Sequence, residues 1–198
     1  MKIIVIADTH NHTPDLPEGD VLVHAGDATI DGTRGEIKRF DDWLGTLNYR
    51  HIIFTPGNHD FLFDTENILQ NAITLINEPT TIDGVIFWAS PYSVRFGDWA
   101  FMEFESDLVS IWQSVPDKVD ILITHCPPKG VLDYTVDGQN AGSQSLLDRI
   151  KIVRPKVHFF GHIHESYGST RCDGTLHINA SIVNDYYQEV NRPFVIEV

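Results

Sequence analysis

Two imidazoles, His162 and His164, close the apolar run in HFFGHIHESYG. A histidine at the end of a buried run is either a turn group or a nitrogen ligand, and it is the commonest metal-binding side chain. Four more apolar runs end in a similar way. KIIVIAD leads into Asp8-Thr9-His10, and DVLVHAGD ends in Gly26-Asp27. HIIFTPGN leads into Gly57-Asn58-His59-Asp60, and VDILITH ends in Thr124-His125. Each ending alone has a bland explanation, since Gly and Asn tolerate positive φ and make turns. Core packing does not ask for such endings on five runs of one chain, so they read together as one ligand set.

Asp8, His10, Asp27, Asn58, His125, His162 and His164 offer carboxylate, amide and imidazole donors. Oxygen and nitrogen mixed in this way suit Zn, Mn, Fe or Co, whereas Ca takes oxygen alone and Cu(I) prefers sulfur. One ion rarely takes so many mixed ligands. Two divalent transition-metal ions sharing a carboxylate account for the number, and a pair ~3.5–4 Å apart clamps the attacking and leaving oxygens of a phosphoester. The implied chemistry is hydrolysis at phosphorus by a bridging water that loses its proton near neutral pH.

Ligands of this kind need rigid elements behind them. Continuous apolar, β-branched runs at 2–8, 20–27, 51–58, 119–125 and 156–162 predict strands buried on both faces. In open α/β architectures, ligands bind beyond the carboxyl ends of such strands. Ile37, Phe40, Leu44 and Leu47 recur at helical spacing, as do Leu146, Leu147, Ile150 and Val153 before Pro155. Asp83-Gly84 and Asp173-Gly174 predict hairpins. Together these predict a mixed α/β fold: a four-layer αββα sandwich, two mixed β-sheets flanked by helices, in a single domain over 1–198. The segment 129–142, KGVLDYTVDGQNAG, reads as a long surface loop, a type that is often functional.

The ordered set DTH, GD, GNHD, TH and GHIH resembles the five-motif signature of the calcineurin-like metallophosphoesterases. PEGDVLVHAGD, FDDWLGTLNYRH, DILITHCPPKG, RPKVHFFGHIHESYG and INASI are similar to the metallophosphodiesterase (MPPED-type) branch over nearly the whole chain. The resemblance implies the αββα sandwich, a dinuclear site, and activity on small phosphodiesters such as 2′,3′-cyclic nucleotides. It assigns Asp8, His10 and His164 to one ion, Asn58, His125 and His162 to the other, and Asp27 as the bridge. It gives His59 the role of general acid to the leaving oxygen. Asp60 is expected either to orient His59, as a carboxylate orients an imidazole, or to serve the turn itself. Asn58 and His59 are the expected substrate contacts, and Asn179 is expected to touch either the substrate or the groups that support the ligands. His162 and His164, two apart on an extended strand, would share a face and serve one ion each. Ala28, Asp60 and Cys126 depart from the Phe, Glu and Gly more usual in that branch, and bear on pocket shape.

The remaining residues narrow the substrate. Asp and Glu outnumber Lys and Arg by 28 to 14, a net charge of −14, which repels long nucleic acid and anionic lipid surfaces. A small phosphoester or nucleotide is the expected partner. Only scattered cations, Arg95, Lys129 and Arg171, stand near the motifs to hold a monoester dianion, which favours diesters. Phosphomonoesterase and nuclease action remain alternatives on the same site, and a scaffold with weakened catalysis is an alternative of another class. His10 and His12 also match the HxH spacing of amidohydrolases, but those are barrels of ~250 residues without the Gly-Asn-His motif. His12 is placed on the rim. His24, His158 and His177 are expected as structural groups within strands, and His51 as partly exposed. Tyr92 and Phe96 are candidates to stack on a nucleobase. Cys126 and Cys172 are expected as reduced, buried thiols. The N-terminal apolar run, 3–7, is too short for a signal core or a span, which gives a cytoplasmic expectation.

Overall fold

Side-chain alternation decides the layers. The structure is a computed structural model that describes the backbone of residues 1–198 and every side chain except that of Asp64. Its first half builds one sheet: β1 (Lys2–Ile6), β2 (Val21–His24), β3 (His51–Phe54) and β4 (Ile73–Thr74). The second half builds another. A hairpin of β5 (Glu78–Ile82) and β6 (Val85–Ser90) comes first, then the short pair β7 (Ser93–Val94) and β8 (Met102–Glu103). After these come β9 (Ile121–Thr124), β10 (Val157–Phe160), β11 (Gly168–Cys172) and β12 (Thr175–Asn179). The last strand, β13 (Phe194–Glu197), returns to the first sheet.

The sheet orders are β13-β1-β2-β3-β4 and β11-β12-β10-β9-β6-β5. β1 to β4 are parallel to one another and β13 is antiparallel to β1. β6, β9, β10 and β12 are likewise parallel, with β5 and β11 added as antiparallel hairpin edges. Both hairpins turn on the expected Asp-Gly pairs, whose positive φ angles (50° and 83°; 49° and 90°) match the right-handed twist of the strands.

Ile3, Val5, Val21 and Val23 face Ile121, Ile123, Val157 and Phe159 between the two sheets. Their neighbours Ile4, Ile6 and Leu22 face outward onto α1 (Arg34–Leu44), against Ile37, Phe40 and Leu44. On the far side Trp88 and Leu122 pack on α2 (Glu105–Gln113) and α3 (Gln144–Val153), through Leu108, Trp112, Leu146 and Ile150. This is the αββα order. Burying both faces of parallel strands explains their unbroken apolar runs. α1 begins at a capping box, in which Thr33 and Glu36 satisfy each other's backbone N–H groups. α3 ends at Arg154, left-handed before Pro155. Leu47 lies beyond the end of α1 and Leu147 is only half-buried.

Two expectations change. Cys172 ends β11 exposed, so only Cys126 is a buried thiol, and burial pushes it up to about 12. The strands also stop short of their polar endings: β1 at Ile6, β2 at His24, β3 at Phe54, β9 at Thr124 and β10 at Phe160. The chemistry-bearing residues therefore lie on turns just past the sheets.

Candidate metal centre

The two sheets present these turns along one edge. Ala7, just after β1, bridges in parallel to Ser181, just after β12. Asp8 N–H donates to Gly26 O (2.8 Å), His10 N–H to Asp27 O (3.1 Å) and Gly161 N–H to His125 O (3.2 Å). Each ligand turn thus hangs on the next. Asp8, His10, Asp27 and His162 have φ of 52°, 42°, 55° and 72°, the sparsely populated left-handed region. Such backbone persists only where its surroundings enforce it, and it concentrates at functional sites. Glycines let the turns approach. A Cβ at Gly57 would sit 2.2 Å from Asp27 Oδ1, and one at Gly161 would sit 2.2 Å from Asp8 Oδ2.

Histidine orientation gives the site its character. His10 Nδ1 lies 2.9 Å from Thr29 O, His125 Nδ1 3.0 Å from Ala25 O, and His164 Nδ1 3.1 Å from Asn184 O. A carbonyl oxygen only accepts, so each Nδ1 donates and each Nε2 points inward, free to carry a proton or to bind a cation. His10 Nε2 and His164 Nε2 then stand 3.2 Å apart. His125 Nε2 faces Asn58 Oδ1 at 3.0 Å and Asp27 Oδ2 at 3.3 Å. Converging lone pairs repel unless a proton or a metal cation lies between them. The donor set fits a divalent transition metal. Asp8, His10 and His164 bring ligand atoms within 4.8 Å of one another, as do Asp27, His125 and His162. Asp27 belongs also to a third group with His10 and His59. Its Oδ1 accepts His59 N–H at 2.8 Å, while its Oδ2 faces both His125 and His10 (3.8 Å). Six of the seven candidate ligands fall in these groups, Asn58 stands beside them at His125, and the third group adds His59, which was expected as an acid.

The charges pull on one another as a cation site requires. Burial would raise Asp8, but hydrogen bonding and charge from His164 draw it down to about 2. Burial would raise Asp27 too, yet the His125 charge and hydrogen bond take it far below the carboxylate range. Burial would lower His125, but Asp27 pushes it up to about 9. Burial lowers His10 to about 4 and His162 to about 3, the latter helped by His125.

Several placements differ from expectation. His162 and His164 do not share an extended strand: β10 has ended, His162 is left-handed and His164 opens a short 3₁₀ turn. The turn lets His162 N–H donate to Asp8 (3.1 and 3.0 Å) while its ring joins His125. Asp60 does not touch the His59 imidazole. Its carboxylate accepts from Ala28 N, Thr29 N, Thr29 Oγ1 and Gly57 N, and so straps the Asp27 turn to the Asn58 turn. His59 is held instead through Nδ1 by Ile30 O at 2.6 Å, with Trp99 against its ring at 4.5 Å. Asn179 is fully buried and spends its amide on Ile163 O, Leu132 O and Ser181 N. From there it braces the turns that follow β10 and β12. His12 stays at the rim, on Tyr187 O and near Glu189.

Sequence reasoning missed the supporting groups. The buried Ser181 hydroxyl donates to Asp8 Oδ2, and the rule that marked the other strand ends applies equally to β12. Tyr187 packs edge-on against His10 at 4.7 Å. The structural histidines also serve the site. His24 Nε2 meets Thr9 Oγ1 (2.9 Å) between two ligands, and His158 Nε2 meets Thr124 Oγ1 (2.8 Å) beside His125.

With this geometry in view, comparison with known proteins is informative. The family described as calcineurin-like phosphoesterase matches residues 1–166. Human metallophosphoesterase domain-containing protein 1 is 36% identical over 230 aligned residues, covering 100% of this chain and 71% of that protein. A Nostoc protein named as a 3′,5′-cyclic-nucleotide phosphodiesterase is 27% identical over 173 residues, 78% of this chain and 59% of its own length. The solved structure of TT1561 from Thermus thermophilus superposes with a TM-score of 0.60 at 13% identity, over 90% of this chain and 88% of that one, a likeness of fold. Sequence match, fold and a cage built for a divalent cation agree: the chain belongs to the calcineurin-like phosphoesterase family, whose chemistry is metal-dependent hydrolysis of phosphoesters.

Proposed function

We propose that the protein is a hydrolase of small phosphodiesters, 2′,3′-cyclic nucleotides among them, working with two divalent ions such as Mn. The observation that carries the reading is the position of Asp27: one oxygen is pinned by His59 N–H, and the other is turned to the imidazoles of both ligand groups. Asp8, His10 and His164 would hold one ion, and Asn58, His125 and His162 the other. Bound there, the ions would acidify water and neutralise charge on the phosphoryl oxygens.

The chain's own residues do the rest. Asn58 and His59 line the place where the phosphoryl group must sit. His59 keeps its Nδ1 proton on Ile30 O, so the Nε2 proton is the mobile one, available to the departing oxygen. Ser181 and His162 N–H hold Asp8 in position, and Asp60 holds the two turns together. A diester is favoured because, among the described residues, no lysine or arginine joins the hydrogen bonds and ion pairs of the cage. Arg95 is committed to Asp98 and stacks 5.4 Å from the Phe104 ring. The Nostoc relative's name also points to a diester. We keep a cytoplasmic placement within the proposal, supported by the two free cysteines. No helix is long and apolar enough to cross a membrane.

The test is metal content by mass spectrometry, followed by hydrolysis of bis(p-nitrophenyl) phosphate, p-nitrophenyl phosphate and 2′,3′-cyclic AMP with one metal at one pH. We expect two ions per chain, higher kcat/KM on the first compound than the second, and turnover of the third. A clear monoester preference would overturn the diester assignment, and a single ion at saturation would overturn the pair.

A further inference from the structure

A groove of about 410 Å³ opens directly beside the cage and shares His162 as a wall. Phe96 and the turn 135–141 form its other sides. Phe96 is 66% exposed, and its ring centroid lies 5.7 Å from that of His162 at 37°. An exposed aromatic ring alone means little. One set beside a ligand of the reacting centre is placed to meet whatever that centre holds.

The facing turn is preformed. Thr135 N–H donates to Gln139 O (2.9 Å) and Gly138 N–H to Thr135 O (2.9 Å). Tyr134 exchanges hydrogen bonds with Ser166, and Val136 N–H donates to Glu165. Ser166 and Glu165 belong to the turn that begins at His164. The groove wall is therefore tied by hydrogen bonds to the turn that carries His164.

Charge says what the groove rejects. Besides His162, its ionisable lining residues are Asp137 and Glu165, both acidic, with no lysine or arginine among the described lining. A second phosphate or a carboxylate would be repelled there. A neutral ring would stack on Phe96 at no such cost.

Position says which half of the substrate it meets. His59, the acid to the leaving oxygen, groups with Asp27 and His10 beside Trp99. His162 groups with Asp27 and His125. A leaving group directed to His59 leaves the other substituent on the His162 side.

We propose that the groove between Phe96 and the 135–141 turn holds the ester group that stays on phosphorus, and selects an uncharged aromatic substituent, a nucleobase or aryl ring, over an anionic one. This deepens the phosphodiester reading and rests on it. The test uses non-hydrolysable phosphonates in calorimetric titrations of the metal-loaded protein. Phenylphosphonate should bind about tenfold tighter than methylphosphonate, and 4-carboxyphenylphosphonate should lose most of that gain. Phe96→Ala should bring the phenyl-to-methyl ratio near one with methylphosphonate affinity unchanged. Asp137→Lys should restore binding of the carboxylated ring. On two diesters with one leaving group, p-nitrophenyl phenyl phosphate and methyl p-nitrophenyl phosphate, Phe96→Ala should reduce kcat/KM about tenfold on the first only. A phenyl-to-methyl ratio that ignores Phe96→Ala, or a carboxylated ring bound as tightly as the plain one, overturns the groove assignment. Hydrolysis of neither diester alongside the expected phosphonate ratios would instead overturn the diester reading and leave the groove standing.

Discussion

Replacing Ser181 by alanine removes one oxygen from a fully buried position and leaves the backbone alone. The lost hydroxyl donates to Asp8 Oδ2 with Asn179 Oδ1 2.8 Å away as a second acceptor, and Asp8 Oδ2 also receives His162 N–H at 3.0 Å. The Ser181 N–H bond to Asn179 Oδ1 (3.2 Å) survives. A hydrogen bond to a charged acceptor is worth ~1.5–3 kcal/mol. In the presence of chelator, that loss should lower the melting temperature by about 3–12 °C for a chain of this length. Two effects oppose each other at the metal. Asp8 becomes more basic, which strengthens its pull on a cation, and it becomes freer to rotate, which weakens its hold. Removal of groups that orient metal ligands typically costs about 10–100-fold in affinity, so orientation is expected to win. Competition titration of Ser181→Ala against a calibrated chelator measures it. Affinity within twofold of the parent, or raised, would refute the claim that Ser181 positions Asp8.

His59→Asn should retain metal while turnover falls by about 10²–10⁴, with a smaller loss on p-nitrophenyl esters than on alkyl esters. Loss of metal on that substitution would make His59 a ligand, as its grouping with His10 and Asp27 permits. The chelated protein should weaken as pH falls below neutrality. Burial holds His24 down to about 3, and burial with the His177 charge holds His158 well below its ordinary value. Unfolded histidine takes up its proton near 6.5, so below that pH the unfolded chain binds more protons and stability drops. The loss is roughly 2 kcal/mol for His24 by pH 5, and His158 adds to it in the same direction. Urea midpoints at pH 7 and pH 5 test this, and a midpoint that is flat or higher at pH 5 would contradict it.

The candidate ligands were legible because strand ends are local features. A polar group that follows a buried run is conspicuous, and parallel strands bring such ends to one edge. The hairpins were legible for a similar reason, since an Asp-Gly pair is one of the few that meet the φ demand of a two-residue turn at low cost. What stayed hidden has no side-chain signature. The carbonyls of Ala25, Thr29, Ile30 and Asn184 fix four imidazoles, and any residue type could supply them. Asp60 is visible as a turn residue, but its partners are not, because the left-handed Asp27 turn, which brings Ala28 and Thr29 N–H to its carboxylate, cannot be read from neighbouring letters. α2 escaped because it buries only Leu108 and Trp112, too sparse a stripe to stand out. β13 escaped because it is an edge strand, half-buried on one face.

The structure also places the energetic burden of the site. Left-handed backbone at Asp8, His10, Asp27 and His162 costs on the order of 1–3 kcal/mol at each residue. Two fully buried carboxylates, Asp8 and Asp27, add repulsion, and the Asp27 charge raises Asp8 against the pull of its histidine partners. The inter-sheet core of Ile3, Val5, Ile121, Ile123 and Phe159 can carry that load because its strands are rigid and its residues lie wholly out of water. Strain concentrated where four backbones meet cannot relax into the sheets, so it keeps the lone pairs aimed inward. A cation held there would relieve lone-pair and carboxylate repulsion together. Preorganisation in this protein is thus a property of the turns beyond the strands, and the two sheets exist, for the chemistry, to keep those turns from relaxing.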